Sequence, residues 1–260
     1  MAPVPVIRSP RNPNVAFVRS LRRSSVRRRS GRTFVEGPKL VAEALAANVV
    51  EGVLWTEETA NPARDLAACA ERVSIPVRQC TAGVFATVAD TETPQGVLAV
   101  IRIPNPSQSV GPALLLVLDR VQDPGNVGTM LRAAAAAAAT GALCGRGCAD
   151  PYGPKAMRAG AGAQLHLPLI QTLPTSGLQV LAAEPSGLLP YTDVNWTAPV
   201  AIVVGGEGRG ISPEMRERAH ATVSIPTAPN VESLNAAAAG AVILFEAARQ
   251  RRITEPRSSQ

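Results

Sequence analysis

The run Ala113-Leu-Leu-Leu-Val-Leu118 is apolar at every position. It is too short for a stable helix and shows no polar alternation, so it predicts a strand buried on both faces. A second such run, Val200 to Val204, leads straight into Gly205-Gly-Glu-Gly-Arg-Gly210. Thr222-Val-Ser-Ile225 and Leu178-Gln-Val-Leu181 predict two further strands. Asp123-Pro-Gly-Asn126 is a turn opening an alanine-rich helix, with Asn126 as its cap and Gly141 as its stop. A last helix runs from Ser233 onward. Strands alternating with helices predict an α/β fold with a parallel sheet covered on both faces. Ligands of such sheets gather at the carboxyl ends of the strands, where the glycine- and asparagine-bearing loops of this chain fall.

The stretch Ile103 to Pro112 holds three prolines, a glycine and small polar residues, which disfavour both helix and central strand. It predicts a linker over 104–111 between a first domain, 1–103, and a second, 112–260. In the first, strands at Thr33–Glu36, Val53–Trp55 and Val97–Ile101 and a helix around Leu40–Ala47 predict a small α/β module.

Charge is unevenly spread. The formal net charge is +6, yet no acidic residue precedes Glu36, while Arg8, Arg11, Arg19, Arg22, Arg23, Arg27, Arg28, Arg29 and Arg32 do. So dense a positive field suits phosphates. The segment lacks an apolar helical face with aromatic anchors, which argues against a membrane surface as the partner. No uninterrupted apolar stretch approaches the ~18 residues of a membrane span, and the first residues lack a signal-peptide core, so a cytoplasmic setting is expected. Cys69, Cys80, Cys144 and Cys148 are too scattered for a disulfide framework. With His166 and His220, the pair Cys144 and Cys148 matches no common zinc spacing, and no metal is expected. The chain has no GxxxxGK[ST], GxSxG or HExxH element, and Gly205 to Gly210 lack the GxGxxG spacing of a dinucleotide site.

Three loops carry chemistry. In Asn126-Val-Gly-Thr-Met-Leu-Arg132, the Asn126 amide can reach a ligand, and Gly128 shares a helix face with Arg132, leaving room for a substrate beside the guanidinium. In Gly205 to Gly210, four glycines in six residues allow backbone amides to approach a ligand closely around Glu207. Ile225-Pro226 through Ser233-Leu-Asn235 offers an apolar slot between Ile225 and Leu234, with polar contacts from Ser233 and Asn235. Each loop alone also fits a bland reading: a capped helix with a surface arginine, a flexible loop, an N-cap serine.

In this order the three loops resemble the signature motifs of the SpoU (TrmH-like) ribose methyltransferases of the SPOUT class. Pro154-Lys-Ala-Met-Arg158-Ala-Gly-Ala-Gly-Ala163 looks like the family's PKAxRAS segment. Ile7-x-Ser9, Asn12-Pro13, Phe34-Val-Glu-Gly37 and Thr93-Pro-Gln-Gly96 are similar to its substrate-binding domain. Within the family the two-domain plan looks closest to the thiostrepton-resistance-type ribosomal RNA enzymes. The resemblance implies a carboxyl-terminal SPOUT domain with a deep trefoil knot, a preceding L30e-like domain, a homodimer, and S-adenosylmethionine as cofactor. It implies cofactor contacts from Ala182, Gly205, Gly206, Glu207, Ile225 and Leu234, and catalytic roles for Asn126, Arg132, Glu207, Ser233 and Asn235. RNA contacts would fall to Arg8, Arg11, Arg22, Arg23, Arg27, Arg28, Arg29 and Arg158. Gly206 stands where the family usually has asparagine, Gly160 where it has serine, and Ala236-Ala237 where it has Val-Ser. Each lost side-chain hydrogen bond would cost about 1 kcal/mol. The expected activity is methylation of a ribose 2′-hydroxyl, with ribosomal RNA as substrate; transfer RNA, or a non-catalytic RNA-binding factor with a decayed site, are the alternatives.

Overall fold

The computed structural model describes residues 5–56, 61–107, 114–174 and 176–254; positions 108–111 of the expected linker and Ala113 lie outside the described residues. The chain divides into one unit of Met1–Asn105 with Tyr152–Leu165 and another of Pro106–Pro151 with His166–Gln260.

The first unit opens with α1 (Pro13–Ser20) and α2 (Ser24–Ser30). Asn12 caps α1 by accepting a hydrogen bond from the Asn14 N–H, and Pro13 sits at the first turn where its missing donor costs nothing. Neither helix was apparent in the arginine-rich sequence. Val15 and Val18 of α1, Leu21 at its C-cap and Val26 of α2 are split between two short segments, yet all four are buried. There follow β1 (Arg32–Glu36), α3 (Pro38–Ala46), β2 (Val50–Trp55), α4 (Asn61–Arg72), β3 (Val77–Gln79), α5 (Ala82–Ala86) and β4 (Val97–Arg102). The sheet order is β1-β4-β2-β3. Strand β4 runs antiparallel to β1 and β2, while β2 and β3 are parallel. The sheet is therefore mixed.

In the second unit β5 (Leu114–Asp119), α6 (Pro124–Ala136) and β6 (Gly141–Cys144) come first. Helix α6 stops before Gly141: Ala137 is its C-cap, Ala138 turns with φ +56°, and Gly141 begins β6. The chain then returns to the first unit for α7 (Pro154–Ala159), a segment expected in the second domain. Met157 is fully buried there in one cluster with Val35, Val41 and Ala44, and the Thr33 hydroxyl donates to the Tyr152 carbonyl at 2.7 Å. The burial of Met157 explains the membership.

The second unit continues with β7 (Gln179–Ala183), β8 (Leu189–Pro190), β9 (Val200–Gly205), α8 (Pro213–Arg218), β10 (Ala221–Ser224) and α9 (Ala236–Thr254). Its strands lie in the order β6-β5-β9-β7-β10-β8, and every pairing is parallel. Leu115, Val117, Ala201 and Val203 face a cluster with Ile170, Leu173 and Ile211, against which Met215 of α8 packs. On the other face, Gly240 of α9 brings its backbone close to Met130 of α6 and Val204 of β9. Burial on both faces is why β5 and β9 read as unbroken apolar runs.

Candidate active site

Parallel register brings the loops of the second unit to one edge. Asp119 at the end of β5 pairs with Gly205 at the end of β9, Val204 with Ala183, and Ala183 with Val223. Asp119 is 5% exposed; its carboxylate accepts from the Ser212 N–H at 2.5 Å and its carbonyl from the Gly206 N–H at 3.0 Å. Arg120 follows in the left-handed region, φ +58°, and its guanidinium donates to the carbonyls of Arg209 and Gly210 at 3.1 and 3.4 Å. The turn closes with Gly210 N–H donating to the Gly206 carbonyl at 2.8 Å. A Cβ at Gly206 would lie 2.2 Å from the Arg120 carbonyl oxygen, and one at Gly205 would lie 2.4 Å from the Gly210 carbonyl carbon. Both glycines are demanded by backbone meeting backbone.

Three expected site residues converge at this edge. Asp123, not Asn126, caps α6: its carboxylate accepts the Asn126 N–H at 2.9 Å. The Asn126 amide is therefore spared from capping and donates to Glu207 Oε1 at 2.9 Å. Asn235 Nδ2 donates to the same oxygen and lies 3.5 Å from Asn126 Oδ1. Asn235 also replaces Ser233 as the cap of α9, its Oδ1 accepting from Ala237 and Ala238 N–H at 2.9 and 3.2 Å. Two amides thus fix one oxygen of Glu207 and leave the other without a partner among the described residues.

Beside this cluster lies a cavity of about 340 Å³. Gly205, Gly206, Glu207, Ile225, Ser233 and Leu234 all line it, joined by Val204, Ile211 and Ile243. Ala182 does not; it is buried in the sheet core, and its neighbour Ala183 faces the cavity instead. Alternation along a strand accounts for the one-residue displacement. Glu184 and Arg216 form an ion pair at the rim, Nε to Oε1 2.9 Å. These two are far apart in sequence and no motif signalled them. Asp119 and Arg120 did leave a sign, as a charged pair ending an apolar strand.

Arg132 is not drawn into the cluster. It is exposed on α6 and makes no hydrogen bond or ion pair among the described residues. Six residues from Asn126, it lies about 9 Å further along the helix axis and on another side. Gly128 is buried where α6 packs, so the space its missing side chain leaves is not open to a substrate.

The arginines of the first unit divide by role. Arg8, Arg11, Arg23, Arg28 and Arg29 are exposed, with no side-chain partner among the described residues. Arg22 is exposed but donates to the Ala89 carbonyl, and Arg158 pairs with Asp90 at 2.6 Å. Arg27 cannot serve as an RNA contact: it is 4% exposed and donates to the Leu21 and Arg22 carbonyls at 2.7 and 2.9 Å, tying the turn between α1 and α2. Burial pushes the thiols of Cys80 and Cys144 up to about 12, so neither is a thiolate near neutral pH. Among the described residues no helix is long and apolar enough to cross a membrane, and no cluster of His, Cys, Asp and Glu could hold a metal ion.

Comparison with known proteins adds the lineage. Residues 113–245 match the SpoU rRNA Methylase family and residues 12–99 the MRM3-like substrate binding domain. The chain is 36% identical to an uncharacterized tRNA/rRNA methyltransferase of Synechocystis, over 94% of both chains. It is 31% identical to the 23S rRNA (guanosine(2553)-2′-O)-methyltransferase RlmP of Bacillus subtilis, covering 92% of this chain and 97% of that one. The AdoMet-bound rRNA methyltransferase of Sinorhizobium meliloti superposes with a TM-score of 0.83 at 28% identity, over 97% of this chain and 99% of that one. With a family match across the whole second unit's site and full-length relatives above 30% identity, this chain belongs to the SpoU rRNA methylase family.

Proposed function

We propose that this protein transfers a methyl group from S-adenosylmethionine to a ribose 2′-hydroxyl of ribosomal RNA. The observation that carries the reading is the meeting of Asn126, Glu207 and Asn235 on one carboxylate oxygen beside a cavity at the carboxyl ends of a parallel sheet. The cavity suits the cofactor: Val204, Ile225, Leu234 and Ile243 supply apolar walls, and the bare backbone of Gly205 and Gly206 forms a further wall with no side chain to intrude. When bound, S-adenosylmethionine supplies a methyl group already activated on a sulfonium.

The remaining work falls to the chain. Asn126 and Asn235 hold Glu207 so that its second oxygen can accept the proton leaving a ribose hydroxyl. Ser233, on the cavity wall, offers a further hydroxyl for positioning. Arg132 stays protonated in any protein environment and cannot be a base; as it stands away from Glu207 of its own chain, it binds the adjoining phosphate and steadies the developing alkoxide at the site of the second copy in a homodimer. The exposed Arg8, Arg11, Arg23, Arg28 and Arg29 contact further phosphates. RNA affinity is therefore expected to fall about linearly in log–log terms with added salt, with a slope of several; binding unmoved between low and moderate salt in a filter assay contradicts this.

Three finer points belong to the same reading. Two copies pair as a homodimer, a view supported by Val242 and Phe245, which stand 38% and 47% exposed on one face of α9. The second unit is knotted, supported by its family match over residues 113–245. The setting is the cytoplasm, and kinship within the family is with the thiostrepton-resistance type, supported by the two-domain plan.

Transfer of labelled methyl to unmodified ribosomal and transfer RNA, side by side, tests the proposal. Alkali-resistant label in ribosomal RNA is expected. Label confined to transfer RNA replaces the substrate, and no label in either makes the chain an RNA-binding factor.

A further inference from the structure

A second cleft, of about 330 Å³, lies wholly within the first unit and takes no part in the chemistry above. Glu36, Lys39, Thr91, Thr93, Gln95 and Arg158 line it. Glu36, Thr91 and Arg158 are held in place. Glu36 accepts from the Asp90 N–H at 2.6 Å through one oxygen and from the Thr91 hydroxyl through the other. Arg158 is fixed by Asp90, with its side chain still 42% exposed. Gln95 lies in room left by Gly37, whose backbone turns with φ +93°: a Cβ there would stand 2.9 Å from Gln95 Oε1. Lys39, Thr93 and Gln95 are exposed with no hydrogen-bond or ion-pair partner among the described residues.

The charges of Lys39 and Arg158 are offset by those of Glu36 and Asp90. A groove built only for phosphates would keep its positive excess, as the α1–α2 surface does. This cleft offers instead a carboxylate, an amide, two hydroxyls and a flat guanidinium, a set of donors and acceptors matched to the edge and face of a nucleobase. Resting on the reading of the protein as an RNA enzyme, we propose that the cleft receives one unstacked nucleotide of the RNA, its base read by Gln95 and Thr93, its face against Arg158 and its phosphate on Lys39. Arg158 thereby acts as a base-stacking residue and not as one more phosphate contact. The segment carrying it belongs to the first unit although its sequence neighbours build the second.

The test is filter binding of the full-length protein to unmodified ribosomal RNA across a salt series, for wild type, Lys39→Ala and Gln95→Ala. Both variants are expected to weaken binding roughly tenfold with the wild-type melting temperature. Lys39→Ala should lower the salt slope by about 1, as loss of one phosphate contact does, while Gln95→Ala should leave the slope unchanged. Wild-type affinity in both alanine variants overturns the site; a slope lowered equally by Gln95→Ala overturns the base contact. Methyl transfer is not read here, so a catalytically silent protein would sink the proposed reaction and leave this test standing.

Discussion

Arg132→Ala is expected to reduce methyl transfer by about 10²–10³-fold, the usual cost of removing a group aimed at developing negative charge. Cofactor affinity should stay within about twofold, because Arg132 neither lines the cavity nor bonds to any residue that does. The two halves of this result test different things. Loss of rate alone places the guanidinium on the RNA side of the reaction, steadying charge that appears only as the 2′-proton leaves. A parallel fall in both would put Arg132 in cofactor binding and sink the assignment. Arg132→Lys separates charge from shape: an ammonium keeps the charge but not the planar fork that grips a phosphate with two hydrogen bonds. Single-turnover transfer with calorimetric cofactor binding reads all of this, and Arg132→Lys should recover only part of the rate.

Gly206→Asn, which installs the residue usual in the family, is expected to harm the protein. Its Cβ would have to sit 2.2 Å from the Arg120 carbonyl oxygen, so backbone must move. Overpacking of this kind costs about 1–3 kcal/mol, which in a chain of this size lowers the melting temperature by about 2–4 °C for each kcal/mol. The turn that would shift carries Gly205, Gly206 and Glu207 into the cavity, so cofactor affinity should drop about tenfold or more. The double variant Arg120→Gly with Gly206→Asn should regain part of both losses, since glycine at 120 tolerates the φ of +58° and other conformations besides. An unchanged melting temperature with tighter cofactor binding in the single variant would show that the departure at 206 is mere loss. On the structure, Arg120 and Gly206 are two halves of one local solution. Gly160 differs: the atom 2.4 Å from where its Cβ would stand is the side-chain amide oxygen of Gln164, not backbone, so a serine there asks only that this side chain turn aside.

How far the sequence revealed this architecture depended on whether a signal was local. Strands β5 and β9 were legible because burial on both faces leaves no polar position to confuse the pattern. The site motifs were legible because glycine and asparagine are chosen for backbone reasons that show in single residues. Cap assignment was not: Asp123 and Asn126 are both good caps three residues apart, and only the structure shows that Asp123 takes the role and frees Asn126 for Glu207. Arg27 was indistinguishable from Arg28 and Arg29 by type. Its burial depends on a turn between two helices too short to show a periodicity. Ala182 missed the cavity wall by one position because strand alternation fixes facing only once the register is known. The Glu184–Arg216 pair and the membership of Tyr152–Leu165 are long-range facts with no local trace.

That last feature bears on how the protein is made. A ribosome delivers residues 1–105 well before Tyr152–Leu165, a lag of about 3–12 s at ordinary elongation rates. During that interval the nascent first unit has its whole sheet but lacks Met157, so a hole lined by Val35, Val41 and Ala44 stays open. It cannot be filled until β5, α6 and β6, the opening elements of the other unit, have themselves left the ribosome. The order of synthesis is therefore not the order of completion, and the half-finished chain presents its apolar gap to chaperones while the next sheet is only begun.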